Sequence, residues 1–144
     1  MTIEVYLLSA GGATIESRFI RRRHLLEEIR GLVEAREAVF VQTASGHLLI
    51  VDRDVSTEHL TSVATFDGLA IPTSRNIVIA GIAANEIVSP EVSIGGLAAM
   101  IEVIFPVLKP KRDRDESGAF QFDIITQISK PKVSVQAPVA RRFR

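Results

Sequence analysis

The sequence predicts an α+β domain that is mostly β, a small and partly open β-barrel or sandwich with one amphipathic helix and an extended C-terminal arm. Three observations predict it. Many short segments alternate apolar and polar residues, as half-buried strands do. One stretch, over about residues 22–36, repeats apolar residues at helical spacing. The last segment, residues 130–144, is basic and contains proline. We therefore divide the chain into a single β-rich domain, residues 1–129, and an arm, residues 130–144.

The first elements are a β-hairpin and the helix. Residues 3–8 and 14–20 are rich in β-formers, and Gly11-Gly12 supplies the turn between them. The helix follows, because five apolar residues then fall on one helical face: Leu25, Leu26, Ile29, Leu32 and Val33. On its solvent side we expect two ion pairs of i,i+4 spacing, Arg23 with Glu27 and Arg30 with Glu34.

The middle of the chain predicts further short strands. Residues 38–43 and 47–52 form a second hairpin, and residues 60–66 form a strand that the turn Asp67-Gly68 closes. Pro72 marks a loop. Residues 76–88 are apolar and β-branched at both ends, which predicts two short strands broken at Gly81.

The segment 94–108 is strongly apolar but ambiguous. Two glycines open it and Pro106 closes it, and residues 97–104 fit either a buried helix or a strand. We favour a strand over residues 101–108, while an exposed hydrophobic interface is the alternative for the whole segment.

The C-terminal part predicts a loop and two extended segments. Residues 109–118 are rich in charge, as solvated loops are. Phe120, Phe122 and Ile124 alternate with polar residues and predict a strand. The same alternation over residues 133–137 predicts a last extended piece before the basic end.

The charge of the chain splits in two near Leu108. Through Leu108 there are eight Arg, no Lys and thirteen Asp or Glu, a net charge of −5. From Lys109 onward there are nine Lys or Arg and four Asp or Glu, a net charge of +5. Such an asymmetry indicates that the basic part docks on something anionic, including another copy of the acidic body.

All four lysines lie in two copies of Lys-Pro-Lys, residues 109–111 and 130–132. Each copy follows an apolar stretch, so each predicts a strand end that is guarded against edge-to-edge pairing. The alternating segment after Pro131 has a second interpretation, an arm that adds a strand to an exposed sheet edge. The same arm could instead fold back on its own body.

An arginine cluster precedes the helix, where the helix dipole favours acidic residues. Local ion pairs with Glu27 and Glu28 are one explanation, and a partner-binding patch is the other. Together with the arm, the cluster defines the predicted partner-binding residues, which are Arg18, Arg21, Arg22, Arg23, Lys130, Lys132, Val133, Val135, Arg141, Arg142, Phe143 and Arg144.

No pattern of residues predicts catalysis. The chain has no Cys, which removes disulfides and thiolate chemistry. Gly11-Gly12 lacks the spacing of a phosphate-binding loop. The histidines His24, His47 and His59 could converge on a metal with Asp52, Asp54 or Glu58, but their spacings match no metal-site signature. We expect a protein that is not an enzyme and uses no cofactor or metal.

Part of the chain resembles the Sm-like small β-barrel family, in which a helix precedes five bent strands. The stretch Val39-Phe40-Val41-Gln42-Thr43-Ala44-Ser45-Gly46 partly matches the V-x-V-x-L-x-x-G that opens that barrel, and Val78-Ile79-Ala80-Gly81-Ile82-Ala83-Ala84-Asn85 partly matches the closing I-R-G-x-N. Ala80 replaces the family's Arg, and the Asn comes late, at Asn85. The resemblance covers residues 22–88 and implies a small barrel able to form rings, without the family's RNA-reading element.

These observations lead to one expected function and two alternatives. We expect a non-catalytic structural subunit that packs into a larger homo- or hetero-oligomer through its basic arm, with other protein subunits as partners. The alternatives are a nucleic-acid-associated barrel that uses the arginine cluster and a small-ligand-binding barrel with a pocket near His47 and His59. No apolar run reaches the length of a membrane span, and no basic residue precedes the first apolar stretch, so we expect a cytoplasmic protein.

Overall fold

The computed structural model describes residues 1–12, 14–53, 62–73, 75–114, 120–129 and 133–136, with 105–129 described by their backbone alone. Within this part, the chain forms strands, two α-helices and one 3₁₀ turn. In chain order they are β1 (Thr2–Leu8), β2 (Thr14–Arg21), the 3₁₀ turn (Arg22–His24), α1 (Leu25–Val33), β3 (Ala38–Gln42), β4 (His47–Asp52), β5 (Val63–Phe66), β6 (Leu69–Pro72), β7 (Ile77–Ala83), β8 (Glu86–Val88), α2 (Ile94–Met100), β9 (Glu102–Arg114), β10 (Phe120–Ser129) and β11 (Ser134–Gln136).

The strands form two sheets. The larger has seven strands in the order β11-β2-β1-β7-β4-β3, with β8 paired to β7, and the smaller has the order β10-β9-β5-β6. Neighbouring strands are antiparallel except for β11, which runs parallel to β2. The predicted α+β, mostly β fold is confirmed, and because neither sheet closes into a barrel, the open form of the prediction is the one found.

Alternation along the strands divides the core between two faces of the larger sheet. In β1, the side chains of Ile3, Val5 and Leu7 join a cluster with Ile29 and Val33 of α1. The neighbouring side chains of Tyr6 and Leu8 join a second cluster that includes residues of β5, β9 and α2. The larger sheet is thus covered by α1 on one face and by the smaller sheet with α2 on the other.

The predicted helix is confirmed, but it is shorter than its apolar stripe. Residues Arg22–His24 form a 3₁₀ turn, and the α-helix ends where Glu34 takes a left-handed conformation with φ of 59°. The two expected i,i+4 ion pairs are absent from the pairs that the described residues form. The reason is that Arg23 lies in the 3₁₀ turn and Glu34 has left the helix, so neither pair has the spacing of one α-helical turn.

Two predictions for the middle of the chain are wrong. Pro72 ends the strand β6 and does not mark a loop, which a sheet edge permits because no outward donor is needed there. The two strands predicted over residues 76–88 are confirmed as β7 and β8, but the predicted break at Gly81 is wrong, because β7 continues through Gly81 and the chain reverses at Ala84 and Asn85. Gly81 has a packing role, since a Cβ there would lie 2.7 Å from the carbonyl oxygen of Ser89.

The ambiguous segment contains both a helix and a strand. Residues 94–100 form α2, and the strand predicted over residues 101–108 is confirmed as the first part of β9. The strand end predicted at the first Lys-Pro-Lys and the charged loop predicted from residue 109 are both wrong as far as Arg114, because β9 continues through residues 109–111. There it pairs with β10 through an irregular register in which Phe122 lies opposite Pro110, and such irregularities accommodate proline. The second Lys-Pro-Lys lies outside the described residues.

Candidate functional site

The most distinctive site is a groove at one edge of the larger sheet, which the C-terminal segment of the same chain fills. Strand β11 adds to β2 in parallel, with Ser134 opposite Thr14 and Val135 opposite Ile15. Just before it, the side chain of Val133 is 6% exposed. A short extended segment is therefore bound by strand addition on one side and by an apolar pocket beneath it.

The floor of this groove comes from β1, β2 and α2. Val133 packs into the cluster that contains Leu8, Ile15 and Leu97, all of which are 2% exposed or less. Strand β11 and strand β2 both contact α2. The β1–β2 hairpin and α2, which lies far along the chain from it, thus form this site, and we call it the tail groove.

Local hydrogen bonds fix the two walls of the tail groove. Before β2, the backbone N–H of Ser9 donates to the carbonyl of Thr14 at 2.9 Å, which closes the turn at the start of the strand. At the other wall, Ser93 caps α2, since its hydroxyl oxygen accepts a hydrogen bond from the backbone N–H of Gly96 at 3.1 Å. The groove is therefore preorganised by its own turns and caps.

The arm residues predicted from the sequence fall in different places. Val133 is buried in the tail groove of its own chain, and Val135 is 46% exposed. For residues 134–136, the structure has the second of the two arrangements left open, an arm folded back on its own body. The other arm positions lie outside the described residues, namely Lys130, Lys132, Arg141, Arg142, Phe143 and Arg144.

Three of the four clustered arginines form local ion pairs. Arg18 contacts Glu16 at 2.7 Å, and the Arg21 side chain contacts Glu28 at 3.2 Å. A third pair, at 2.9 Å, links Arg22 to Glu86 of β8, and Arg23 has no ion pair among the described residues. These contacts compensate most of the positive charge that the sequence places before the helix.

The contact between Arg21 and Glu28 also involves the backbone. The Glu28 carboxylate accepts a hydrogen bond from the backbone N–H of Arg21 at 2.6 Å. That hydrogen bond, followed by those of the Arg21 side chain and the nearby charges, lowers the pKa of Glu28 although partial desolvation opposes it. The acid thus binds the backbone donor of the residue that directly precedes the 3₁₀ turn.

A second polar cluster surrounds His47 at the turn between β3 and β4. The imidazole Nδ1 lies 2.7 Å from the hydroxyl of Ser45, which lies 3.1 Å from the hydroxyl of Thr43. The ring of His47 is 3% exposed and packs edge-on against Phe66, with centroids 5.5 Å apart. These contacts place a serine hydroxyl within hydrogen-bond distance of a possible base.

The arrangement around His47 nevertheless differs from that of a catalytic triad. In a triad, the acid holds the histidine and the histidine holds the serine. Here Asp67 binds Ser45 instead, since its Oδ2 accepts a hydrogen bond from the Ser45 backbone N–H at 2.7 Å. Ser45 lies in the β3–β4 turn of the larger sheet and Asp67 in the β5–β6 turn of the smaller one. The geometry is that of a clamp between two turns.

The histidines do not converge on a metal site in the part of the chain that the structure describes. His24 is on the surface beside Glu27, whereas His47 is buried in the turn cluster. Asp52, another candidate ligand, is buried and lies 3.5 Å from Arg75. In that part of the chain, no three His, Asp or Glu side chains are grouped so that they could hold a metal ion. His59, Asp54 and Glu58 lie outside the described residues.

Comparison of the chain with protein-family models, curated proteins and solved structures found no match. Among the described residues, neither helix has the length and apolar character that crossing a membrane requires. We therefore infer the function of this chain from its own geometry.

Sequence reasoning identified the tail as a strand that adds to an edge, but it missed the edge that receives it. Residues Thr14, Ile15 and Glu16 carry no signal that distinguishes them from other strand residues. The groove exists only because α2, far along the chain, packs beside β2. Such a site has no local pattern.

Proposed function

We propose that this protein is a non-catalytic assembly subunit whose tail, residues 130–144, binds the tail groove of a neighbouring copy. The observation that carries the proposal is the tail groove, in which Val133 is buried and β11 pairs with β2. A groove that binds an extended segment of one copy offers the same contacts to the segment of another copy, which is the basis of domain exchange.

Charge supports docking of the tail on an acidic body, whether that of its own chain or that of a neighbouring copy. Residues 109–129 contain four Lys or Arg and four Asp or Glu, so they are neutral together. The whole excess of +5 therefore lies in the tail, and residues 1–129 carry −5. Opposite net charges attract the tail of one copy to the body of the next and raise the rate of their encounter.

A pair of introduced cysteines tests whether the tail binds its own chain or a neighbour. Thr14 and Ser134 are register partners on adjacent strands, and such strands lie about 4.8 Å apart, within the Cα separation that a disulfide spans. The chain has no native Cys. In the variant with Thr14→Cys and Ser134→Cys, oxidation links β2 to whichever tail occupies the groove.

Exchange predicts disulfide-linked multimers on a non-reducing gel, and the proposal predicts that their share rises with protein concentration during folding. The variants with Thr14→Cys alone and Ser134→Cys alone are the controls, because each lacks the second thiol at the groove. Only intrachain disulfides at every concentration would overturn the exchange.

A second experiment measures mass by light scattering on a sizing column for two full-length variants. Val133→Ser places a hydroxyl in the apolar floor and weakens the tail groove, whereas Val135→Ser changes an exposed position two residues away. We expect the first to lower the mass per particle and the second to leave it unchanged. A mass that is the same for both variants and for a chain ending at Ser129 would contradict the proposal.

A further inference from the structure

The opposite edge of the larger sheet is formed by β3, which pairs with β4 on one side. The backbone N–H of Thr43 donates to His47 at 2.9 Å, and that of Arg53 donates to Glu37 at 3.0 Å. In an antiparallel ladder, hydrogen-bonded residue pairs alternate with pairs that are not hydrogen-bonded. Val39 and Val41 therefore also direct their backbone groups to β4. The backbone groups of the residues between them therefore point outward, namely Ala38, Phe40 and Gln42.

This edge lacks the features that keep sheet edges from pairing. Natural edge strands are guarded by lysine, proline or a bulge. Strand β3 reads Ala-Val-Phe-Val-Gln, with no charge and no proline, and its register with β4 is continuous. Its side chains are also accessible, with Phe40 47% and Val39 37% exposed. An uncharged, exposed edge of this kind is a surface for strand addition.

We propose that the β3 strands of two copies pair antiparallel across a twofold axis at Phe40. In this register all five residues of β3 overlap, Phe40 faces Phe40 of the second copy, and Ala38 faces Gln42. Ala38, Phe40 and Gln42 direct their backbone groups outward, so both copies offer hydrogen-bond donors and acceptors at these paired positions. The two larger sheets then become one continuous sheet.

Side chains make this register self-complementary on both faces of the joined sheet. On one face the two Phe40 rings are neighbours, and aromatic cross-strand pairs are favourable. On the other face Val39 lies opposite Val41 of the second copy, and the reverse pair repeats by symmetry. Apolar residues thus meet apolar residues at every central position.

The flanking charges are also compatible with a second copy as the occupant. In the same register, Glu37 lies opposite Thr43 and Arg36 opposite Ala44, so no like charges face each other across the axis. A register that placed Glu37 opposite itself would bring two carboxylates together. The sequence of this edge therefore fits its own copy in the register proposed.

The test substitutes Phe40, because in the proposed register it is the residue that lies on the twofold axis and faces the same residue of the second copy. In the full-length protein, Phe40→Lys places two positive charges opposite each other and Phe40→Glu places two negative ones. We expect each variant alone to show half the mass per particle of the wild type by light scattering. An equal mixture of the two should restore the wild-type mass, since Lys then faces Glu.

Leu26→Lys is the matched control, because Leu26 is an exposed apolar residue on α1, away from the edge. It should leave the mass unchanged, and circular dichroism should show that all variants keep the fold. A wild-type mass for Phe40→Lys, or no recovery in the mixture, would overturn the twofold pairing.

The two interfaces are independent and their experiments separate them. The cysteine pair at Thr14 and Ser134 reports on the tail groove alone, and the charge swap at Phe40 reports on the β3 edge alone. If exchange fails and the charge swap succeeds, the protein is a simple twofold dimer.

Discussion

The carboxylate of Asp67 accepts a hydrogen bond from the backbone N–H of Ser45 at 2.7 Å, and this contact joins the turns of two different sheets. The hydrogen bonds from the Ser45 side chain and then its backbone, with a smaller contribution from Thr43 and His47, lower the pKa of Asp67. The ionised acid accepts these hydrogen bonds more strongly than the neutral acid does, so the contact links the packing of the sheets to pH.

We predict that Asp67→Asn removes a pH-dependent part of the stability. Because the pKa of Asp67 is lowered by folding, its contribution is complete above the unfolded pKa of about 4 and is lost as the pH falls through the lower, folded value. Asn also tolerates the left-handed φ of 55° at this position. In urea unfolding, the gap in free energy of unfolding between wild type and variant should narrow below about pH 4. A gap that stays constant with pH would show that ionisation of Asp67 does not strengthen its contact with Ser45.

Gly12 lies in the β1–β2 turn at a point of close approach to the smaller sheet. A Cβ there would lie 2.9 Å from a methyl carbon of Val103, and the φ of 70° is unfavourable for other residues. Gly11→Ala is the matched control, since it has a similar φ of 85° but no atom within 4 Å. We expect Gly11→Ala to cost about 1–2 kcal/mol from backbone strain.

Gly12→Ala should cost that amount and about 1–3 kcal/mol more, because the added methyl overpacks the contact with β9. Denaturant unfolding of both variants measures the difference. Equal losses for the two glycines would mean that the turn moves away from Val103 without cost.

The two faces of α1 should respond differently to truncation. Ile29 is 1% exposed and packs on the larger sheet, whereas Leu26 is 62% exposed. Ile29→Ala should therefore lower the free energy of unfolding by about 2–5 kcal/mol, through lost burial and a cavity. Leu26→Ala should change it by less than about 0.5 kcal/mol. Similar values for both would show that α1 does not pack as described.

The turn between β7 and β8 offers a stabilising substitution. Ala84 has a φ of 51°, a left-handed conformation that glycine adopts without strain. Ala84→Gly should raise the free energy of unfolding by about 0.5 kcal/mol, because relief of strain exceeds the entropy that glycine adds to the unfolded chain. Ala83→Gly, one residue earlier within β7, should lower it by about 0.5–1 kcal/mol. Thermal unfolding distinguishes the two directions.

Local patterns predicted the elements whose periodicity is set by one buried face. The alternation in β1 and the stripe of α1 each bury one apolar side, and both elements overlap the residues predicted for them, although α1 is shorter and Leu26 of its stripe is exposed. Local sequence patterns gave the wrong prediction where pairing with a neighbouring strand outweighs the preference of proline and lysine for loops. Pro72 ends an edge strand, and the lysines at 109–111 lie in β9, because β10 continues to pair with that strand.

The candidate sites were predictable only in part, for a similar physical reason. The tail strand alternates apolar and polar residues, and this alternation can be seen in the sequence alone. The groove that receives it depends on β2, α2 and residue 133 meeting in space. The free edge at β3 depends on β7 pairing with β4, which leaves Phe40 on the outer strand.

The parallel pairing of β11 with β2 joins one of the first strands to be synthesised with the last one described. More than a hundred residues separate Glu16 from its partner Gln136, so closing this contact is a slow, non-local step. During translation, the edge of β2 is present well before its own tail has left the ribosome. Chains made side by side therefore expose unfilled grooves next to the finished tails of their neighbours. The contacts are the same for either tail, so the exchange proposed above would depend on the timing of folding and on the local concentration of chains.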